Sequence, residues 1–569
     1  MSNSEHVKFS LKVVTNKQRT KVFYAEVDSG FADILLSFLS LPLGTIVRIL
    51  GKHYGDESPV FGSLTTLSNL NSELFCTESC KQMLLYPRKS LRNERCKLKL
   101  NVDDTPLTKA FNEDVKFSLK VVTNKQRTKV LYAEIDSDFA DILLSFLSLP
   151  LGTIVRIFCK HYGDDSPVIG SLTNLYNSLS NLDSDLFCTE SCKQMLLNPR
   201  KSLRNERCKL KLNVDDTPLT KYLMCPDKNC ITRNFGLYYD TSECDCGESA
   251  LSCDMGIVEI VKLTASVDEG NGGVYTKSTA SFIISDDLQI FPSETRYSIH
   301  ILKDLGITDI DVTELMDATF GLNQVMDLLK GSLLSKTPLT DIILNKGLMS
   351  PITVECDKCI LPVDEVVEQK MRIKAIMQES TNRLLFVEAD GNFVDILFSL
   401  LTIPLGAVEL FLRGSTGLKN IDNLYRSLGN ITDGKYLNTK DIEFMLLKPL
   451  LPIGYVCKDN ILPLFEETWS HNLSDYSFKS PKGPGNYVKG QKMYMVTDDL
   501  TATPLCMASS ISIFKQLKVP LSDVKELELD IGLKEALSIL KASLTSTSAL
   551  TDGFMIKPTS MKKPKQEHA

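Results

Sequence analysis

Apolar side chains recur at helical spacing most clearly in residues 31–49, FADILLSFLSLPLGTIVRI. Phe31, Ile34, Leu35, Phe38 and Leu39 fall at i, i+3, i+4, i+7 and i+8, which is one face of a helix. Pro42-Leu43-Gly44 is expected to end that helix, because Pro cannot continue it and Gly relaxes the turn. The stretch returns unchanged at 139–157, and as FVDILFSLLTIPLGAVELF at 393–411. After the turn, TIVRIL is β-branched enough for a strand, but the third copy reads AVELFL, which favours a second short helix. Between Asp33 and Arg48 lie 14 uncharged residues interrupted by Pro42. A spanning helix needs about 20 apolar residues, so these are expected to be core helices and no membrane span is predicted.

Two acids accompany every copy: Asp28 and Asp33, then Asp136 and Asp141, then Asp390 and Asp395. The first of each pair is placed to cap the helix, and the second lies near the positive end of its dipole. Paired carboxylates also suit acid–base chemistry, but nothing around them supplies a nucleophile in all three copies, so capping is the expectation.

Upstream, residues 7–22 (VKFSLKVVTNKQRTKV) recur identically at 115–130. Alternating FSLKVV, a polar turn at Asn16-Lys17-Gln18 and KVFYAEV predict a β-hairpin. Downstream, LFCTESCKQMLLYPR predicts a helix stopped by Pro87, and CKLKLNV a strand. This unit, A, spans 7–107, 115–221 and 371–467. The first copy is truncated and lacks four connector residues between Gly62 and Cys76.

A second unit, B, occurs at 273–348 and 485–556. SFIISDDL at 281–288 matches MYMVTDDL at 493–500, and GLNQVMDLLKGSLLSKTPLTD matches GLKEALSILKASLTSTSALTD. The order is therefore A–A–B, then A–B, and the fold class expected is α+β. Linkers are expected near 108–114, 350–370 and 471–486, and a disordered tail over 557–569.

Composition narrows the function classes. With 569 residues and 43% hydrophobic content the chain can bury several cores. A net charge of −7 disfavours wholesale nucleic-acid binding. Sixteen cysteines behind a polar N-terminus, MSNSEHVKFS, point to reduced thiols in a cytoplasmic or nuclear protein that is not secreted.

The hairpin followed by FADILLSFLSLPLGTIVRI, the MLLNPR stretch, the CPDKNC…CDCG segment and the PLTD-ending B unit together resemble the plant domain-of-unknown-function 674 family. The resemblance covers nearly the whole chain. It implies no established activity, substrate or cofactor, and the extra N-terminal A unit departs from the two-half layout.

The best chemical lead is Cys225-x4-Cys230-x13-Cys244-x-Cys246, expected as a small ribbon over 222–254. Two close thiol pairs can surround one structural Zn²⁺, with Cys253 able to replace a ligand. Against this, Cys-x2-Cys is the commoner spacing, the second A–B half has no counterpart, and scattered structural thiols are the bland alternative. Cys356-x2-Cys359 stands alone in a linker, and the Cys188/Cys192 pair becomes Asn438 and Ile442 in the third copy, so both favour structural thiols.

Arg200, Lys201, Arg204, Arg207, Lys209 and Lys211 form the phosphate or nucleic-acid candidate. The third copy loses most of that charge, which favours a solvated loop and a protected strand edge. Asp286-Asp287, repeated as Asp498-Asp499, is expected to be a turn. No P-loop, dinucleotide fingerprint or Ser/His/Asp signature is present. These features favour an interaction or regulatory protein without catalysis, with protein partners and self-association through the N-terminal A unit. The alternatives are nucleic-acid binding through the ribbon and basic run, or an enzyme site at an A–B junction.

Overall fold

The computed structural model describes residues 12–15, 22–26, 115–202, 205, 210–217, 223–224, 234–236, 246, 253–254, 274–345, 370–431, 435–467, 477–482, 485–490 and 492–554. Residues 350–369 of the expected linker, the 557–569 tail and most of the first A unit lie outside them. The chain divides into two compact units, Met1–Glu113 and Asp114–Ala569.

In the first unit, β1 (Lys12–Thr15) and β2 (Val22–Glu26) pair antiparallel. Lys12 lies opposite Glu26 and Thr15 opposite Val22, with a register shift after Val14.

The second unit opens with the same hairpin, β3 (Phe117–Asn124) and β4 (Val130–Asp136), in the same register and with the shift after Val122. Its alternation is simple: Phe117, Leu119 and Val121 are buried while Ser118 and Lys120 face water. Helices α1 (Ser137–Ser145), α2 (Leu151–Tyr162), α3 (Leu172–Asn181) and α4 (Glu190–Leu197) follow. Asp136 caps α1, its side chain accepting from the Phe139 N–H at 2.8 Å. The expected strand CKLKLNV has no counterpart in the described part of the second copy: residues 210–217 are irregular, held by side-chain contacts rather than a ladder.

Short strands β5 (Leu223–Met224), β6 (Asn234–Gly236) and β7 (Cys253–Asp254) come next. The B segment then supplies β8 (Ser281–Ser285), β9 (Ile290–Pro292), α5 (Thr295–Asp304), β10 (Thr313–Phe320), α6 (Leu322–Leu334) and α7 (Pro338–Ile343). The second half repeats the series. Its A segment gives β11 (Met371–Gln378), β12 (Arg383–Ala389), α8 (Gly391–Leu400), α9 (Leu405–Phe411), α10 (Lys419–Ile431) and α11 (Lys440–Leu447). After β13 (Ser477–Lys479), the B segment gives β14 (Tyr494–Thr497), β15 (Ala502–Pro504), α12 (Met507–Leu517), β16 (Val524–Ile531), α13 (Leu533–Thr545) and α14 (Ala549–Gly553). The fold is α+β, and the segment after Pro-Leu-Gly is helical in both described copies.

Each A hairpin of the second unit sits inside a five-stranded antiparallel sheet whose other three strands come from B. The orders are β10-β3-β4-β8-β9 and β16-β11-β12-β14-β15. Phe117 therefore pairs with Phe320, and Asp136 with Ser281. A fourth sheet, β13-β6-β5-β7, joins the middle of the chain to the second half.

The two halves meet about a pseudo-twofold axis where Pro150 of one bridges Pro404 of the other. The Leu151 N–H donates to the Ile403 carbonyl at 3.0 Å and the Leu405 N–H to the Leu149 carbonyl at 2.9 Å. Neither Pro has an N–H to offer, so both fit this pair without an orphan donor. A Cβ on Gly406 would lie 2.8 Å from the Leu446 carbonyl oxygen and 3.1 Å from that of Leu147. One on Gly152 would lie 3.0 Å from the Leu401 oxygen. Glycine is thus required for close approach at the axis.

Farther out the reciprocity continues. The Cys188 N–H donates to the Tyr487 carbonyl at 2.8 Å, and the Asn438 N–H to that of Tyr275 at 3.0 Å. The Asn174 amide donates to Asp499, and the Asn423 amide to the Asp287 carbonyl. One continuous apolar core runs through both halves, from Phe139, Phe146 and Phe158 to Phe393, Phe398 and Leu540.

Gly406→Ala is expected to lower unfolding stability by about 1–3 kcal/mol, because backbone atoms must give way. Gly429, inside α10, has open space at its Cβ, so Gly429→Ala is expected to stabilise by about 0.5–1 kcal/mol. Calorimetry of the two variants decides the point; equal melting temperatures would remove the close-packing account of the axis.

Candidate functional site

Of the four zinc candidates, Cys225, Cys230 and Cys244 lie outside the described residues, and Cys246 is exposed in a turn. β5 pairs antiparallel with β6 and with β7, setting Met224 opposite both Phe235 and Cys253. Cys356 and Cys359 also lie outside the described residues. Among the described residues, no group of three His, Cys, Asp or Glu side chains is arranged to hold a metal ion.

Of the basic candidates, Arg204, Arg207 and Lys209 lie outside the described residues. Lys201 is buried, 3.5 Å from Asp215. Lys211 pairs with Asp138 at 2.5 Å. Asp215 and Asp216 also receive Arg156 of α2, and Asp216 receives Lys160. Burial works against ionisation of Asp216, yet Lys160 and Arg156 hold its carboxyl below the usual range.

The recurrent acids prove more informative than their spacing suggested. Asp390 caps α8, accepting from the Asn392 and Phe393 N–H groups at 3.1 and 3.2 Å. Asp141 and Asp395 do something different: each is buried and grips the extended segment leading into B. Asp141 accepts from the Val274 N–H at 2.6 Å, the Thr276 N–H at 2.8 Å and the Thr276 hydroxyl at 2.9 Å. Asp395 accepts from the Val488 N–H at 3.0 Å. Helix-dipole placement alone misses this, although the presence of the second Asp in every copy was the available signal.

The B-unit acids act alike. Asp286 and Asp287 lie in a turn, as expected, but Asp286 also accepts from the Thr340 N–H and hydroxyl at 2.9 and 2.7 Å. That hydroxyl in turn accepts from the Val130 N–H at 2.9 Å, tying α7 to the A hairpin. Asp498 holds Thr551 in the same way. Burial pushes Asp141 and Asp286 up to about 6, outweighing their hydrogen bonds.

The halves diverge in their buried polar atoms. Where the first half has Val274, Thr276, Phe282 and Phe291, the second has Asn486, Val488, Tyr494 and Thr503. The Val274 N–H donates to Asp141 Oδ2, whereas Asp395 Oδ2 has no hydrogen-bond partner among the described residues, and neither do Asn486 Oδ1, Tyr494 Oη and Thr503 Oγ1. Burial raises Asp395 well above the carboxylate range. Burial, with Asp395 and Cys188 nearby, pushes Tyr494 up to about 12. Cys457 and Cys192 share this surrounding, Cys457 3.9 Å from the Ser399 hydroxyl and Cys192 accepting from Thr189 at 3.1 Å. Burial raises both thiols, so neither is activated as a thiolate.

This duplicated architecture, with its Pro-Leu-Gly axis and carboxylate latches, matches a known family model. The model of the protein of unknown function DUF674 covers residues 5–112, 113–481 and 466–569. The chain belongs to the DUF674 family. No curated protein and no solved structure gives a significant match. Among the described residues of this DUF674 chain, no helix is long and apolar enough to cross a membrane.

Asp141 titrates near 6 when folded against an ordinary 3.8, so the folded state holds the proton more tightly. Its contribution to stability is fully present below about pH 3.8 and is lost as pH rises through about 6. Asp141→Asn removes that titration. The stability advantage of the native chain over this variant is expected to shrink by about 3 kcal/mol between about pH 3.5 and 7, at 1.36 kcal/mol per unit. Urea unfolding across that range measures it; a constant difference would mean that Asp141 titrates alike folded and unfolded.

Proposed function

We propose that this chain is a protein-interaction module without catalysis, and that its N-terminal A unit, residues 7–107, is the part that engages partners. The observation that carries this is a mismatch in number. In the second unit every A hairpin has both edges taken by B strands, and each Pro-Leu-Gly turn is taken by the other A segment. The sequence holds three A units and two B units. The hairpin β1–β2 repeats the register of β3–β4, so it brings the same pairing edges to a chain whose B strands are already occupied.

The recurrent acids support the non-catalytic side. Asp141, Asp286, Asp395 and Asp498 are engaged with backbone N–H groups that position B on A. Nucleic-acid binding through 199–211 is the weaker alternative, because Asp215 and Asp138 neutralise Lys201 and Lys211.

Light scattering of the purified full chain and of residues 114–569 tests the interaction reading. The full chain is expected to associate and the shorter one to stay at a single chain mass with an unchanged melting temperature. A full chain that remains single at every concentration would overturn the proposal.

One structural zinc on Cys225, Cys230, Cys244 and Cys246 is proposed on cysteine spacing. Native mass spectrometry of the full chain is expected to find one zinc, lost on changing Cys225 and Cys230 to Ser. Metal-free mass in freshly reduced protein would reject it.

A further inference from the structure

We propose that Glu409, Thr416 and Asp422 form a one-proton lock across the elbow between α9 and α10, and that loss of the proton loosens the hold of α10 on the B segment of the first half.

The chain turns from α9 into α10 through residues 412–418, where Arg413, Gly414 and Gly417 have φ of 54°, 67° and 88°. Glu409 lies in the last turn of α9 and Asp422 in the first turn of α10. Buried between them, the Thr416 hydroxyl lies 2.6 Å from Asp422 Oδ1 and 3.1 Å from Glu409 Oε1. It also accepts from the Leu418 N–H at 3.1 Å, and the Thr416 N–H donates to Asp422 Oδ1 at 3.0 Å.

These contacts require a proton. A hydroxyl has one proton to donate and two lone pairs. Two carboxylates cannot both take the single Thr416 proton, so one of the acids carries a proton of its own and donates it to Thr416. Asp422 is the charged partner. Its Oδ1 collects two donors, one at the short distance of a hydrogen bond to an anion, and Arg426 lies 3.8 Å from its Oδ2. Glu409 is fully buried and its Oε2 has no hydrogen-bond partner among the described residues. A neutral acid tolerates that setting and an anion does not. Burial, with Asp422 beside it, accordingly raises the Glu409 carboxyl well above its usual range.

The surroundings of the pair complete the elbow. Arg426 donates to the Gly414 carbonyl at 2.7 Å, tying loop to helix, and Tyr425 donates to the Leu447 carbonyl at 2.9 Å. Arg413 is exposed. α11, which carries Asp441, Glu443 and Lys448, meets α9 through the Leu446 carbonyl at Gly406. The Leu147 carbonyl meets Gly406 too, from a turn, Phe146–Ser148, with no ionisable side chain.

α10 is the helix with which the second half holds the first. Its Asn423 amide donates to the Asp287 carbonyl at 2.9 Å, and its Ser427 hydroxyl accepts from the Ile290 N–H at 2.8 Å. At the places of Glu409 and Asp422 the first half has Val155 and Thr173. Its elbow carries no such acid pair.

Opening the elbow returns Glu409 to its ordinary 4.5, whereas the closed elbow holds the proton more tightly. The lock is therefore complete below about pH 4.5 and weakens as pH rises. Opening becomes about tenfold more frequent per pH unit until the closed-state carboxyl has itself titrated.

Hydrogen exchange of the full chain, read by mass spectrometry, tests this against Glu409→Gln, whose amide donates to Thr416 without titrating. Between about pH 5 and 8, opening of 412–431 in the native chain, divided by that of the variant at the same pH, is expected to rise about tenfold per unit and then level off. The same ratio for 155–173 should stay flat. A flat ratio for 412–431 would mean that Glu409 holds no proton, which overturns the lock. Equal rises in both elbows would mean a general loss of stability and overturn it too. If Glu409→Gln does not fold, the double change Glu409→Val with Asp422→Thr, which rebuilds the first half's pair, takes its place with the same outcomes.

Discussion

The structure depends on how closely two backbones approach at one point. At the axis the Leu149–Leu151 and Ile403–Leu405 backbones exchange hydrogen bonds, with Gly152 and Gly406 against opposing carbonyl oxygens. Proline removes the donor that would be orphaned there, and glycine removes the carbon that would collide. With this contact made, α3 of the first half reaches the B segment of the second, and α10 of the second reaches the B segment of the first. The Ser171 hydroxyl donates to the Ser546 carbonyl at 2.7 Å, and the Asn420 amide to that of Ser335 at 2.6 Å. The halves thus share one core and are not beads on a string.

Around that contact, buried carboxylates do structural work usually left to side-chain packing. Each of four Asp residues accepts at least one backbone N–H from a chain segment far away in sequence, which fixes the segment's path. A buried carboxylate is costly unless such donors surround it. In the first half Thr276 completes the set around Asp141. In the second half Val488 does not, and Tyr494 adds a hydroxyl where Phe282 is apolar. The two halves therefore differ in how the corresponding carboxylates are satisfied, and a buried polar group without a partner is uncommon in folded proteins.

Much of this was legible in the residues. Helical spacing found the helices, alternation found the hairpins, and self-comparison found the A and B units. The helix after Pro-Leu-Gly was legible only because Ala-Val-Glu-Leu in the third copy removed the β-branched ambiguity of Thr-Ile-Val-Arg. CKLKLNV misled because alternating Lys and Leu suit a strand edge, while in the second copy Lys211 and Asp215 are drawn instead into ion pairs with Asp138 and Lys201. The latches were not legible: Asp141 and Val274 are 133 residues apart, and nothing local marks an acid that will meet a distant backbone. The merging of A and B strands into one sheet was hidden for the same reason.

That merging has a consequence for the order of events during synthesis. The central hairpin β3–β4 leaves the ribosome long before either neighbour, since β8 begins roughly 150 residues after β4 begins and β10 later still. At about 5–20 residues per second, its open edges wait on the order of ten to thirty seconds for the strands that cover them. The hairpin β1–β2 emerges earlier still with the same register. When β8 and β10 appear, two hairpins of nearly the same sequence compete for one place between them, and proximity along the chain favours the later one. Assembly order, rather than affinity, then decides which A unit is built into the sheet.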